Sequence, residues 1–230
     1  MPNVLITGCS SGIGRALADA FKAAGYTVWA SARRPEDVAA LAAAGFNAVE
    51  LDVNDSAALR RLAEQLGELD VLINNAGILK TLPLAQHSDE LYDQNFDIHT
   101  RGTFNALREA ATRLNDGGRI VNFSSSTVGL NFQGYAVYIA SKAAVESLTQ
   151  VFAKEMRGRR ITVNAVAPGP VATELFLHGK SEEQIQGMAK MPPLERLGQP
   201  EDIARVVAFL VSPAGGWVNG QILRANGGLV

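Results

Sequence analysis

Two residues in the second half of the chain, Tyr138 and Lys142, have the types and the spacing of a proton-transfer pair. In a helix, residues four apart lie on one face. Free tyrosine and lysine both titrate near pH 10, and an ammonium beside a phenol favours the phenolate, which moves proton transfer towards neutrality. The run Ser124 to Ser126 offers hydroxyls that could hold a substrate oxygen. Since Tyr–Lys pairs are frequent by chance, the interpretation depends on the elements that position this one.

A glycine-rich segment, "TGCSSGIG" at 7–14, follows the first apolar run of the chain. Glycines there permit a tight turn and let the backbone approach a pyrophosphate, and the N-terminus of the next helix attracts its negative charge. A structural turn is the alternative, but the position after a first strand predicts a dinucleotide site. The residues expected to bind it are Gly8, Ser10, Ser11, Gly12, Ile13 and Gly14.

The residues after the second apolar run indicate which dinucleotide is bound. NAD-binding sites usually have Asp or Glu about 20 residues past the glycine loop, where this chain has Ala32. Arg33 and Arg34 follow, and a guanidinium matches a phosphate in charge and geometry. We therefore predict NADP(H) in preference to NAD(H); the alternative is that both arginines are merely solvated. Other strand ends add the cofactor-binding candidates Asp52, Val53, Asn75, Ala76 and Gly77.

Short apolar runs alternate with stretches of helical spacing over all 230 residues. This alternation is typical of an α/β fold of the Rossmann type, a doubly wound parallel sheet with helices on both faces. No linker or shift in composition interrupts it, which predicts one domain over 1–230. Strands are expected at 3–7, 27–31, 47–51, 70–74, 119–124, 161–167 and 221–225, and helices at 13–24, 35–44, 55–66, 89–114, 138–157 and 200–211.

The least regular part of the chain is 168–199, which is polar and rich in proline. A long irregular segment in a compact domain is usually functional, so we expect a loop at about 174–195 to cover the site. Its apolar residues indicate either a partly apolar substrate surface or packing within the loop, and the sequence does not choose between them. These residues are Leu175, Phe176, Leu177, Met188 and Met191.

Composition excludes several function classes. A net charge of −2 argues against a nucleic-acid partner. No apolar run reaches the ~18 residues of a membrane span, and no signal-peptide pattern precedes the first strand, so we expect no membrane partner and a cytoplasmic location. The single cysteine, Cys9, forms no intramolecular disulfide, and it makes no metal-ligand spacing with the three histidines, so no metal is predicted. The serine run lacks the G-x-S-x-G pattern of a serine hydrolase.

Over essentially its full length the chain resembles short-chain dehydrogenases/reductases. The matching motifs are "TGCSSGIG" (7–14), "NNAG" (74–77), the serine after the fifth strand, "YIASK" (138–142), "PGPVAT" (168–173) and "NGQILRANGG" (219–228). The resemblance implies a parallel sheet in the order 3-2-1-4-5-6-7 and hydride transfer between a nicotinamide and a small carbonyl or alcohol substrate. It also implies a homo-oligomer, a dimer or tetramer. The alternative is a non-catalytic NADP(H) sensor or scaffold on the same fold.

Specific roles follow from the resemblance for the matching positions. Tyr138 would be the acid in reduction and the base in oxidation, and Lys142 would bind the nicotinamide ribose and lower the tyrosine pKa; both would contact the cofactor. Ser125 would orient the substrate oxygen because it stands thirteen residues before Tyr138, whereas Ser126 better fits the spacing to Gly129 and stays the alternative. The nicotinamide side would be formed by Pro168, Gly169, Val171 and Thr173.

His99 stands where the resemblance implies an asparagine, two residues before "RGTF" at 101–104. In the family this asparagine completes a tetrad with the serine, tyrosine and lysine and holds a water that relays protons. Imidazole has one donor and one acceptor when neutral and could also hold a water. Because it can become a cation near Lys142, we expect His99 to retain activity and to add a pH dependence near neutrality. Asn95, one helical turn earlier, is another source of an amide.

Overall fold

The computed structural model describes every residue from Met1 to Val230. Its strands are β1 (Asn3–Ile6), β2 (Thr27–Ala32), β3 (Asn47–Glu50), β4 (Leu69–Asn74), β5 (Leu114–Phe123), β6 (Thr162–Pro168) and β7 (Ile222–Ala225). They form one seven-stranded parallel sheet in the order β3-β2-β1-β4-β5-β6-β7. The fold class and the strand order expected from the sequence are confirmed.

The helices are α1 (Gly12–Ala23), α2 (Pro35–Ala43), α3 (Ser56–Leu66), α4 (Asp89–Phe96), α5 (Gly102–Arg113), α6 (Thr127–Leu130), α7 (Ala136–Glu155), α8 (Glu174–Leu177), α9 (Glu182–Ala189) and α10 (Pro200–Val211). Apolar residues of α1, α2 and α10 cover one face of the sheet, and those of α3, α5 and α7 cover the other. Successive strand residues supply the two cores in turn, since Val4 and Ile6 belong to the first and Leu5 to the second. None of the helices has the length and apolar character needed to cross a bilayer.

The helix predicted over 89–114 is interrupted. After α4 the backbone forms a π-helical turn over Asp97–Arg101 before α5 begins at Gly102. A π turn inserts a residue into the helical ladder and is frequent at functional sites. His99 lies at the centre of this turn and is buried. The insertion therefore turns the histidine ring inward, towards the start of α7.

The sequence analysis expected an irregular loop at about 174–195. The structure differs, because part of this covering segment is helical. It contains the short helices α8 and α9, which the sequence analysis missed. The Thr173 hydroxyl caps α8 by accepting from the Phe176 N–H. Ser181 and Gln184 form a capping box at the start of α9. Polar side chains at these helix starts therefore order a segment with little core of its own.

The start of α5 approaches the segment after β3 so closely that only glycine fits at position 102. A Cβ built there would lie 2.5 Å from Val53 Cγ2, and valine is stiff at χ1. We expect Gly102→Ala to lower the free energy of unfolding by about 1–3 kcal/mol through overpacking. The matched control is Gly187→Ala in α9, where a Cβ meets no atom within 4 Å and should be neutral or slightly stabilising. Urea unfolding of both variants measures the difference, and equal stabilities would contradict the packing argument.

Candidate active site

The carboxyl ends of β1 to β6 border one cleft of about 880 Å³. Open α/β sheets bind ligands at this edge, just outside the strand ends. Of the residues predicted for the cofactor site or the chemistry, His99 alone does not line the cleft; it is buried behind the wall. The others that line it are Gly8, Ser10, Ser11, Gly12, Ile13, Gly14, Arg33, Arg34, Asp52, Val53, Asn75, Ala76, Gly77, Ser125, Tyr138, Lys142, Pro168, Gly169, Val171 and Thr173.

The glycine loop has the shape of a pyrophosphate cradle. A Cβ on Gly14 would lie 2.1 Å from the Gly8 carbonyl oxygen, so the first turn of α1 packs directly on the loop backbone. Asn75 fixes the loop to β4, because its Nδ2 donates to the carbonyls of Thr7 and Gly8 at 2.9 Å each. The Ser11 side chain makes no capping hydrogen bond, which leaves N–H groups at the start of α1 for a ligand. These residues fit a dinucleotide.

The two arginines after β2 are not equivalent. Arg34 is held by Asp37, with Nε 2.7 Å from one carboxylate oxygen and Nη2 3.1 Å from the other, and Glu36 lies 3.5 Å away. Hydrogen bonding to Asp37 raises the pKa of Arg34 further. Arg33 forms no ion pair and is exposed on the cleft, while Ala32 is buried at the end of the strand. Of the two arginines, Arg33 therefore has the guanidinium that is not held by a carboxylate and can bind a phosphate.

Tyr138 and Lys142 lie one turn apart near the start of α7, as predicted. Lys142 is 5% exposed, and its Nζ donates to the Phe123 carbonyl at 2.9 Å. Burial lowers the pKa of Lys142 to about 8. Burial also raises the pKa of Tyr138 to about 12, and the nearby Ser125 hydroxyl offsets only part of that rise. Desolvation of the phenolate therefore outweighs any lowering of the tyrosine pKa by Lys142, and the role expected of Lys142 stays a prediction.

Two of the three serines after β5 are engaged in packing. The Ser126 hydroxyl donates to the Ala167 carbonyl at 2.9 Å and accepts from Asn226 Nδ2 at 3.0 Å. The Ser124 hydroxyl donates to the Glu146 carboxylate on α7. Both side chains thus connect β5 to neighbouring elements and have no proton free for a ligand.

Ser125 differs from its two neighbours because its hydroxyl lies beside the Tyr138 phenol, and both residues line the cleft. Its Oγ lies 2.8 Å from Thr127 Oγ1 and accepts the Thr127 N–H at 3.3 Å. The geometry therefore favours Ser125 over Ser126 as the residue that meets a substrate oxygen.

His99 links the loop after β4 to α7. Its Nδ1 lies 2.8 Å from Ser141 Oγ, and its Nε2 lies 3.0 Å from both the N and the O of Ile78. The Ser141 hydroxyl donates its one proton to the Tyr138 carbonyl at 2.8 Å, so it must accept from His99 Nδ1. Nε2 is then unprotonated and accepts from the Ile78 N–H. The ring also packs edge-on against Tyr138, with centroids 5.4 Å apart.

The imidazole of His99 is neutral. Burial, and secondly the charge of Lys142, lower the pKa of His99 to about 2. The pH dependence near neutrality that the sequence analysis expected of His99 is therefore wrong, because the charged form is too costly in this site. The Nδ2 of Asn95 donates to the Leu91 carbonyl within α4, so only its buried Oδ1 is left without a partner.

The rest of the cleft wall combines apolar with polar side chains. Of the five apolar residues expected in the covering segment, Leu177 does not line the cleft, whereas Leu175, Phe176, Met188 and Met191 do. The sequence analysis missed an aromatic pair beside the tyrosine. Tyr135 lies 6.2 Å from the Tyr138 ring, and Phe132 lies 5.7 Å from Tyr135, in each case between centroids. The spacing of Tyr135, three residues before Tyr138 in a helix start, was the available signal.

Comparisons with known proteins agree with this geometry. A family described as "Enoyl-(Acyl carrier protein) reductase" matches residues 8–230. A short-chain type dehydrogenase/reductase of Picea abies is 43% identical over 98% of this chain and 91% of its own length. The NADPH-dependent aldehyde reductase 2, chloroplastic, of Arabidopsis thaliana is 42% identical over 78% of this chain and 70% of its own length.

Solved structures show the same architecture. The crystal structure of a blue fluorescent protein from a metagenomic library, in complex with NADPH, has a TM-score of 0.91 at 32% identity and covers 100% of this chain and 98% of that one. A double mutant of a Serratia marcescens short-chain dehydrogenase/reductase also has a TM-score of 0.91, at 33% identity, and covers 99% of this chain and 97% of its own. The chain therefore belongs to the short-chain dehydrogenase/reductase family and is an NAD(P)-dependent oxidoreductase.

Proposed function

We propose that the protein reduces the carbonyl group of a small aldehyde or ketone with NADPH, and that Tyr138 is the acid. The observation that carries this proposal is a phenol with a pKa of about 12 on the cleft wall, beside a serine hydroxyl and one helical turn from a buried lysine. Such a phenol is protonated at neutral pH and is ready to donate. The relatives named for NADPH-dependent aldehyde reduction, and the neighbour that binds NADPH, support the same direction and cofactor.

The proposed roles follow the geometry of the site. Bound NADPH supplies the hydride. The Ser125 hydroxyl donates to the substrate oxygen, and Tyr138 transfers its proton as negative charge develops there. The phenolate that remains is then stabilised by the ammonium of Lys142, which is protonated below a pH of about 8. In the oxidation direction the same phenolate accepts the alcohol proton.

The cofactor would lie along the cleft from β2 to β6. The loop at 8–14 and the start of α1 would bind the pyrophosphate, and residues 52–53 and 75–77 would contact the adenosine half. Residues 168–173 would hold the nicotinamide. The Thr173 hydroxyl accepts the Phe176 N–H, and its own proton makes only a long bond of 3.5 Å to the Val171 carbonyl, which the carboxamide oxygen could replace.

Removing the proposed acid should abolish turnover without removing cofactor binding. We expect Tyr138→Phe to lower kcat by about 10²- to 10⁴-fold on a panel of aldehydes and ketones, and NADPH to bind with unchanged affinity by fluorescence. Tyr92→Phe, the same change on the exposed side of α4, is the matched control. NADPH binding by the unaltered protein with no oxidation across the panel would instead favour a sensor or scaffold.

The pH dependence of reduction should reflect the titration of Lys142 and not that of His99. As the pH rises through about 8, Lys142 loses the charge that stabilises the phenolate, so we expect kcat/KM for reduction to fall. His99→Asn should retain this limb at the same pH, because His99 is already neutral at every working pH. A profile measured from about pH 5.5 to about pH 9.5 brackets the lysine titration and tests both points. Movement or loss of the limb in His99→Asn would contradict the neutral assignment.

Cofactor selectivity should depend on Arg33 more than on Arg34. A charge-assisted bond to the 2′-phosphate predicts that Arg33→Ala weakens NADPH binding by about 10- to 100-fold and leaves NADH binding little changed. Arg34→Ala, with its guanidinium already bound to Asp37, should have a much smaller effect. Dissociation constants for both cofactors, measured by fluorescence, decide this. Equal effects of the two variants would mean that Arg34 leaves Asp37 for the phosphate.

A further inference from the structure

We propose that Thr127 is a positioning residue that sets the direction of the Ser125 hydroxyl. Thr127 begins α6, and its Oγ1 lies 2.8 Å from Ser125 Oγ. In this arrangement Thr127 donates to Ser125, and Ser125 in turn presents its only proton to the substrate oxygen. The proposal rests on the function proposed above, since it assigns a residue that acts through Ser125.

The proton count of Ser125 supports this direction. A hydroxyl has one proton and two lone pairs. One lone pair of Ser125 already accepts the Thr127 backbone N–H at 3.3 Å. When the Thr127 hydroxyl fills the second lone pair, the serine proton is left for the cleft. In the opposite direction Ser125 would donate its proton to Thr127 and would face a carbonyl oxygen with a lone pair, which repels it.

Thr127 is the side chain in a position to do this. Its hydroxyl has no hydrogen-bond partner other than Ser125, so its proton is free to donate. The hydroxyls on either side of Ser125 donate elsewhere, Ser124 to Glu146 and Ser126 to the Ala167 carbonyl. The orientation of Ser125 therefore depends on its neighbour two residues further along the chain.

The chain of hydroxyls should matter most in the transition state. As negative charge develops on the substrate oxygen, the Ser125 bond to it strengthens, and a donor behind Ser125 strengthens it further. A donor that acts in this way contributes to kcat rather than to KM. A residue that merely shaped the pocket would instead change KM or the stability of the fold.

The test compares Thr127→Val, which keeps the branched shape and the backbone N–H, with Thr127→Ser, which keeps the hydroxyl. With NADPH and 4-nitrobenzaldehyde as the probe, we expect Thr127→Val to lower kcat by about 3- to 10-fold with KM little changed. Thr127→Ser should restore most of kcat. Thermal unfolding of both variants checks that they fold as the parent does.

Double variants separate action through Ser125 from direct contact with the substrate, because Thr127 also lines the cleft. Single-turnover rates are measured for Ser125→Ala with and without Thr127→Val. We expect no further loss in the double variant. This proposal alone would be overturned if Thr127→Val caused the same loss of rate with and without Ser125→Ala. It would also be overturned if Thr127→Val left kcat unchanged while Ser125→Ala lowered it. Full turnover by Ser125→Ala would overturn the role of Ser125 and this proposal with it.

Discussion

Burial of ionisable groups is the constraint that sets the protonation states in this site, and the ammonium of Lys142 shows it most directly. The side chain is 5% exposed and donates to the Phe123 carbonyl at the end of β5, so it has lost most of its hydration. Its pKa is about 8, which keeps it charged near neutrality but only just. A positive charge in such a place excludes a second one, and it favours negative charge on a neighbouring oxygen. Such a charge is consistent with the Tyr138 phenolate that we propose as the product of proton transfer.

The uncharged state of His99 follows from the same constraint. Burial, and secondly the charge of Lys142, keeps the imidazole uncharged, so the ring serves as a neutral connector. The bonds run in one direction, from the Ile78 N–H to the ring, from the ring to Ser141, and from Ser141 to the Tyr138 carbonyl. An amide side chain could serve the N–H and the carbonyl of Ile78 together, whereas one imidazole nitrogen serves only one of them. The histidine thus gives up one backbone hydrogen bond and gains a contact that reaches α7.

The parallel α/β class and the cleft were predictable because they depend on local patterns, namely apolar runs, glycines and strand ends, whereas the strand order came from the resemblance to short-chain dehydrogenases/reductases. What the sequence did not reveal depends on contacts between distant residues. The hydrogen bonds that occupy the Ser126 hydroxyl, to Ala167 and Asn226, favour Ser125 in a way that spacing alone could not. The pKa of Tyr138 is decided by burial, which the Tyr–Lys spacing does not report. The π turn around His99 does not change the apolar periodicity of the sequence, so it could not be predicted. The pairing of Arg34 with Asp37, three residues apart, could have been predicted from the local sequence.

The two sides of this cleft are built from different kinds of structure. The reacting side is held on strand ends and on the long helix α7, where Ser124 and Ser126 join β5 to its neighbours through hydrogen bonds. The opposite side is formed by two short helices that are capped by polar side chains and have no buried residues of their own. A rigid wall maintains the sub-ångström geometry that proton and hydride transfer need. The wall formed by α8 and α9 has no buried residues of its own, so its shape can change without disturbing the packing around Tyr138 and Lys142.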